Sequence, residues 1–305
     1  MPSTKALLAS LLVATGLGAQ TEPPQQRPEP DPADPASEGR AEPAPAAQDP
    51  AFAELVAAVR RAHGGGDREA TRSSEAALRM TTLREDEDSI EIALTAQFLA
   101  PRMLRYRVDE ASETLERGFD DRGPWALVGD EVVNLSDKDF AEDRAEVRKQ
   151  VRLARQLLGF LDPAKLLESL RDVAGPRPES LTIGRKQHFD CSVVDGRVDA
   201  FPLFAPPDPE RPEPPCALRL WIEADSQRLL AVRATAIGDD GAEHDGPGEF
   251  LLLRDYATQR GIAVPTRLTV FDGLPPKGEP VLSITIRSID LAPDGLTAKT
   301  MRRPG

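Results

Sequence analysis

The chain contains the stretch Ile90-Glu91-Ile92-Ala93-Leu94-Thr95-Ala96-Gln97-Phe98, which is followed by a turn at Leu99-Ala100-Pro101. Every second residue from Ile90 to Phe98 is apolar, and the residues between them are small or polar. This alternation is typical of a β-strand that buries one face. Leu104, Tyr106 and Val108 repeat the alternation after the turn. The two stretches therefore predict a pair of neighbouring antiparallel strands.

Similar alternating stretches continue along the chain on both sides of a helical section. The predicted strands before it are 114–119, 125–128 and 131–135, and those after it are 181–184, 187–194, 216–224, 228–237, 249–257, 264–271 and 281–290. Strands and helices do not alternate regularly, which argues against a parallel, doubly wound sheet. The expected fold is α+β, with one large, curved antiparallel sheet and helices inserted between its strands.

The helical section covers residues 137–173. From 137 to 161, apolar residues recur at three-, four- and seven-residue intervals, which indicates an amphipathic helix. Asp162-Pro163 supplies an N-cap and a first helical residue for a second helix, 162–173, and Gly175-Pro176 ends the section. The apolar stripes of these two helices include Val151, Leu158, Leu166 and Leu170.

Another helix is predicted at residues 51–63. Its apolar face consists of Phe52, Leu55, Val56 and Val59. Gly64-Gly65-Gly66 follows this helix, whereas a phosphate-binding glycine loop follows a strand and precedes a helix. The glycines are therefore interpreted as the end of the helix.

The net charge of the chain is strongly negative. Its 51 Asp and Glu residues outnumber its 38 Lys and Arg residues, which gives a formal net charge of −13. Binding to phosphate groups requires clustered Lys and Arg side chains, so a nucleic-acid partner is not expected. Docking on an anionic membrane surface is disfavoured for the same reason.

The N-terminus has the features of an exported protein. Residues 1–20 combine Lys5, a short apolar run and small residues, as a cleavable signal peptide does. Residues 21–50 contain nine prolines and are expected to form a disordered linker before a domain at 51–305. The apolar run is too short to span a membrane, and no cysteine near it could carry a lipid. The expected location is periplasmic or secreted. The alternative is a buried first helix.

The sequence offers little for catalysis. His188 and Asp190 share one face of a predicted strand and are the one pair that could bind a metal, but no third ligand has convincing spacing. A solvated strand face is the simpler interpretation. Nucleophile-elbow, zinc-helix and phosphate-loop motifs are absent from the sequence. The expectation is therefore a protein that is not an enzyme, with no catalytic residue, metal or cofactor.

The chain has two cysteines, Cys191 and Cys216. Both lie in or beside predicted neighbouring strands, and the expected compartment is oxidising. They are therefore predicted to form a disulfide. The alternative is a pair of buried free thiols.

Three short stretches resemble a known family. They are the first helix with His63-Gly64-Gly65, the hairpin Phe98–Tyr106, and the late run Tyr256–Thr266. Together with the order of elements over roughly residues 51–303, they resemble the lipoprotein-carrier superfamily typified by LolA and LolB, periplasmic proteins of bacteria. The resemblance implies an unclosed antiparallel half-barrel with a helical lid over its concave side. It also implies that Arg105 helps to hold the lid. The proline-rich insert at 201–215 departs from the family pattern.

The leading hypothesis is a non-enzymatic envelope protein that binds an apolar ligand, such as an acyl chain of a lipid or lipoprotein, between sheet and lid. Its ligand residues would be the strand residues Leu94, Phe98, Leu104 and Tyr106 and the helix residues Val151, Leu158, Leu166 and Leu170. The alternative is a structural or protein-interaction module whose concave side is filled by its own core. A pocket of roughly 300–1,000 Å³ would favour ligand binding, and a close-packed interior would favour the alternative.

Overall fold

The computed structural model describes residues 49–64, 72–83, 91–100, 103–109, 114–136, 138–145, 147, 160–184, 187–199, 215–238, 241–243, 249–275 and 277–304. The predicted signal peptide and nearly all of the predicted linker lie outside these residues. None of the helices in this part of the chain is long and apolar enough to cross a membrane.

The described strands form one antiparallel sheet of thirteen strands. In chain order they are β1 (Ser73–Thr82), β2 (Glu91–Leu99), β3 (Met103–Asp109), β4 (Thr114–Asp120), β5 (Gly123–Val128), β6 (Glu131–Asn134), β7 (Arg171–Ile183), β8 (Gln187–Val198), β9 (Cys216–Glu223), β10 (Leu229–Ala236), β11 (Glu249–Gln259), β12 (Ile262–Phe271) and β13 (Pro280–Leu291). The spatial order is β6-β5-β4-β3-β2-β1-β13-β12-β11-β10-β9-β8-β7, so the sheet is open between β6 and β7. The predicted fold class, an unclosed antiparallel half-barrel with helices, is confirmed.

Strand β1 lies in the middle of the sheet, although the sequence patterns did not predict it. It pairs with β2 on one side and with β13 on the other. It therefore joins the first strands of the chain to the last ones. Ala76 of β1 lies opposite Ala96 on β2 and opposite Ile289 on β13, and these residues are part of the candidate site.

Two described helices begin after an aspartate N-cap, of which Asp162 was predicted from the sequence. Helix α1 (Pro50–Ala62) starts after Asp49, whose side chain accepts a hydrogen bond from Ala51 N at 2.9 Å. Helix α2 (Pro163–Glu168) starts after Asp162, whose side chain accepts one from Lys165 N at 3.2 Å. Between β6 and α2, a 3-10 turn (Lys138–Phe140) leads into helical residues 141–145.

The predicted helix 162–173 is wrong beyond residue 168. Helix α2 ends at Glu168, and β7 begins at Arg171 and runs through Gly175-Pro176. Proline is tolerated there because β7 is an outermost strand, where a missing N–H need not break a ladder. The glycine and proline thus lie within a strand instead of ending a helix.

The sheet buries apolar side chains on both faces. The inner face is the one that packs against α1 and α2, and it carries Leu104, Leu220 and Leu253. The outer face, opposite to it, has a separate core near β9 to β12, where Trp221, Phe250 and Phe271 make edge-to-face ring contacts. The two largest apolar clusters of the described residues therefore lie on opposite faces of the sheet.

Residues 292–304, called the C-terminal strap below, run from β13 to the turn between β4 and β5. At its start, Ala292 N donates to Ser73 O at 2.9 Å. At its end, Met301 is fully buried, and Arg303 donates through Nη2 to Asp120 Oδ1 at 2.8 Å. The Asp120 side chain is 0% exposed. The strap therefore ties together two parts of the sheet that are separated by β1, β2 and β3.

Candidate functional site

An apolar cavity lies against the inner face of the sheet. Its volume is about 60 Å³. The lining residues come from β1, β2, β3, β12, β13 and the segment just before α2; they are Ser74, Ala76, Leu78, Ala96, Phe98, Leu104, Leu161, Val264, Pro265, Leu268, Ile286 and Ile289. Ser74 carries the one polar side chain among them. The lining can therefore contact hydrocarbon and offers a single hydroxyl for a hydrogen bond.

The cavity is smaller than a pocket that encloses a whole ligand. Pockets for small molecules usually measure roughly 300–1,000 Å³, whereas one water needs about 10–15 Å³ by the same kind of measure. At about 60 Å³, the cavity is a real gap in the packing but not a wide pocket. Large side chains such as Phe98 and Leu104, which are 4% and 2% exposed, occupy most of the space around it.

The predicted ligand residues fall into three groups. Phe98 and Leu104 line the cavity. Leu94, Tyr106, Leu166 and Leu170 belong to the same inner-face core but do not line the cavity. Val151 and Leu158 lie outside the described residues. Sequence patterns missed the lining residues of β1, namely Ser74, Ala76 and Leu78, because β1 itself was not predicted.

The assignment of Arg105 to a lid contact is wrong. Arg105 lies between Leu104 and Tyr106 on β3, and these two point to the inner face, so Arg105 points to the outer one. There its Nε donates to Glu116 Oε1 at 2.8 Å. This places the Arg105 side chain on the opposite side of the sheet from α1 and α2.

Arg117, and not Arg105, connects the sheet to the helical section. It lies opposite Tyr106, on the inner face, and its side chain is only 8% exposed. Its Nη2 binds Asp143 Oδ1 of helical residues 141–145 at 2.6 Å. Val147 is also buried against the inner face in this region. In the alternating stretch Leu115-Glu116-Arg117-Gly118-Phe119, Arg117 occupies a position where the alternation predicts an apolar residue. This exception is the sequence signal for its contact with the helical section.

His63 anchors the end of α1 to the sheet. Its ring is buried, its Nε2 accepts a hydrogen bond from Leu229 N at 3.2 Å, and it meets the Tyr256 ring edge-on at 5.5 Å. Burial, assisted by the neighbouring Arg228 charge, lowers the pKa of His63 to about 4. The ring is therefore neutral at physiological pH and acts as a structural hydrogen-bond acceptor.

Gly64 continues this anchor. Its φ is 95°, and a Cβ at this position would lie 2.0 Å from Gly261 O in the turn between β11 and β12. Two of the stretches that carry the family resemblance therefore contact each other, through His63 and Gly64 in one and Tyr256 and Gly261 in the other. Along the order of strands in the sheet, the cavity lies between two contacts with helical residues. One is the His63 anchor at β10 to β12, and the other is the contact of Arg117 on β4.

The predicted disulfide between Cys191 and Cys216 is wrong. Neither cysteine is part of a disulfide, and both are buried. Cys216 lies opposite Val198, seven residues along β8 from Cys191, so the separation is roughly 23 Å and the side chains point to opposite faces. Cys191 belongs to the outer core and Cys216 to the inner one. Burial, together with the nearby Glu223 carboxylate, raises the pKa of Cys191 to about 11, which makes this thiol a poor nucleophile.

His188 and Asp190 bind their neighbours on β7. Thr182 Oγ1 lies 3.0 Å from His188 Nδ1, and Ser180 Oγ donates to Asp190 Oδ1 at 2.9 Å. Both side chains thus make cross-strand contacts on an exposed part of the hairpin. Among the described residues there is no group of three or more His, Cys, Asp or Glu side chains that could hold a metal.

No protein-family model and no curated protein sequence matches the chain. Among solved structures, it is similar to a LolA superfamily protein from Nitrosomonas europaea, with 12% identity and a TM-score of 0.43 over 83% of this chain and 98% of that one. A DUF1329 family protein from Desulfovibrio piger gives 12% identity and a TM-score of 0.46 over 84% and 98%. Lipoprotein LppX from Mycobacterium tuberculosis gives 16% identity and a TM-score of 0.25 over 60% and 88%.

Proposed function

We propose that the chain is an exported cell-envelope protein that binds an acyl chain of a lipid or lipoprotein between its sheet and its helices, without catalysing a reaction. The observation that carries this proposal is the apolar cavity on the inner face. It lies over the middle of the sheet, and Leu161 contributes to its wall from outside the sheet.

The chemistry of the lining favours a hydrocarbon ligand. None of the described residues that line the cavity has a charged side chain, so an ion placed there would lose its hydration without gaining a charged partner among them. Each methylene group that moves from water into such surroundings gains about 0.8 kcal/mol. The Ser74 hydroxyl could accept or donate one hydrogen bond to a carbonyl or carboxyl group at the end of the chain.

The alternative is an interaction module whose concave side is filled by its own core. Most of the inner face is indeed packed by buried side chains. An unfilled apolar gap is nevertheless unusual, because protein interiors are close-packed and their lining atoms lose dispersion contacts at a void. The gap supports the binding hypothesis, whereas the close packing of the rest of the inner face is what the alternative predicts.

Leu104→Trp is expected to block uptake of a fluorescent fatty acid, because the larger ring would project into the cavity from β3. Overpacking at such a site costs about 1–3 kcal/mol, so the variant is checked by thermal unfolding before binding is measured. Ala93→Trp is the matched control, because Ala93 is exposed on the outer face of β2. Saturable uptake by the wild type and the control, but not by Leu104→Trp, is the expected result.

Two outcomes contradict this proposal. The first is a wild-type protein that shows no saturable uptake while mass spectrometry of its organic extracts finds no bound lipid. The second is a folded Leu104→Trp variant that binds as well as the wild type. Either result would favour the interaction module.

Export is tested separately, by N-terminal sequencing of the native protein. The short apolar run followed by small residues predicts cleavage between residues 16 and 21, with the product outside the cytoplasm. Recovery of an intact Met1 in the cytoplasmic fraction would contradict export.

A further inference from the structure

Two opposed alanines form the floor of the cavity. Ala76 on β1 lies directly opposite Ala96 on β2, and both are half-buried and line the gap. The cross-strand pairs on either side along the same face are larger. They are Ser74 with Phe98 and Leu78 with Leu94. The gap is therefore the space that two larger side chains would otherwise fill.

The walls around this floor leave little room for expansion. Phe98 and Leu104 are buried at one end of the gap, and Leu268 is buried at its side. Side chains in such close-packed surroundings cannot accommodate an extra methyl group without strain. A volume of about 60 Å³ is also far below that of pockets that enclose a whole lipid.

Ser74 gives the gap a polar end. It is the second residue of β1, and it lies opposite Phe98, the second-last residue of β2. The remaining lining side chains are apolar, so a ligand has one position for a polar group and an apolar surface beyond it. Ser74, Ala76 and Leu78 follow one another on the same face of β1, so the gap extends from Ser74 along this strand.

We infer that the Ala76–Ala96 pair makes the cavity selective for one unbranched alkyl chain, whose polar group lies beside Ser74 and whose carbons pass over the two alanines toward Leu78. This inference rests on the proposed function and narrows it to a single straight chain. Chains that carry a methyl branch near their end are excluded, because the branch would collide with Leu78 or with buried Leu268.

Isothermal titration calorimetry with two isomeric acids tests the inference on the full mature chain. Decanoic acid is straight, and 8-methylnonanoic acid has the same formula with a branch at its end. We expect the straight acid to bind about tenfold more tightly, because the branched isomer cannot bury its last carbons. This comparison needs no variant.

Variants of the floor provide the second part of the test. Ala76→Leu is expected to lower the affinity for decanoic acid about tenfold or more by filling the gap. Ala93→Leu, on the outer face of β2, is the matched control and should bind like the wild type. If Ala76→Leu does not fold by circular dichroism, Ala96→Leu tests the same floor from the neighbouring strand. Ser74→Ala is expected to lower the affinity about threefold through the lost hydrogen bond.

The two failures can be told apart. Equal affinity for the two acids, or unchanged binding of decanoic acid to a folded floor variant, would overturn the selectivity and leave the proposed function standing. Binding of neither acid to the wild type, with no lipid in its organic extract, would overturn both.

Discussion

Replacing Gly64 by alanine is expected to lower the free energy of unfolding by about 3 kcal/mol or more. Gly64 has a φ of 95°, where a side chain is strained, and a Cβ there would lie 2.0 Å from Gly261 O. Because the obstacle is a backbone carbonyl, relief requires that the end of α1 or the turn between β11 and β12 moves. Urea unfolding followed by circular dichroism measures the loss.

Gly129→Ala is the matched control for this substitution. Gly129 also has a positive φ, 62°, but nothing lies within 4 Å of its missing Cβ. It should therefore show only the backbone penalty of about 1–2 kcal/mol. Equal losses in the two variants would show that the contact between Gly64 and Gly261 adds nothing to stability.

Asp120→Ala is expected to cost about 3–5 kcal/mol, because it leaves the Arg303 guanidinium largely buried without its partner. Asp120 accepts hydrogen bonds from Arg303 N, Nε and Nη2 at 3.1, 3.0 and 2.8 Å. The Arg303 side chain is 12% exposed and that of Asp120 is 0% exposed. The C-terminal strap should detach, which amide hydrogen exchange across β4 and β5 would detect.

Asp121→Ala is the control for the strap. Asp121 binds Arg302 at 2.7 Å, but both side chains are about half exposed, at 49% and 51%. Its loss should cost about 0–1 kcal/mol. A similar cost for the two substitutions would contradict the importance of burial at Asp120.

The acid dependence of the strap follows from the pKa of Asp120. Burial alone would raise this pKa, but hydrogen bonds from Arg303 and from Arg122 N lower it overall. A carboxyl group with a lowered pKa in the folded state stabilises the fold above its unfolded pKa. It loses that contribution as the pH falls through the folded pKa. The Asp120 bridge is therefore fully formed at neutral pH and is lost only in acid below the usual titration range of aspartate.

Most strands could be predicted because they alternate large apolar residues with polar ones. Strand β1 could not, because Ser74, Ala76 and Ala77 give almost no alternation in hydrophobicity. The same small side chains leave the gap on the inner face. The small side chains therefore explain both why β1 is not predicted from the sequence and why β1 lines the candidate site.

The two wrong side-chain assignments have different physical origins. The alternation of side chains along β3 requires Arg105 to point away from Leu104 and Tyr106, whereas the family resemblance implies a contact with the lid. The cysteine pairing depended on register, which sequence patterns do not provide. Strand β8 extends to Val198, four residues beyond its predicted end, and this extension sets Cys216 far from Cys191.

The separate burial of the two thiols has a consequence for how the chain matures. With Cys191 and Cys216 in different cores, the fold contains no covalent cross-link between its strands. Its stability therefore depends on packing, hydrogen bonds and ion pairs alone. Folding then requires neither an oxidising enzyme nor disulfide isomerisation, and reducing agents do not weaken the native state.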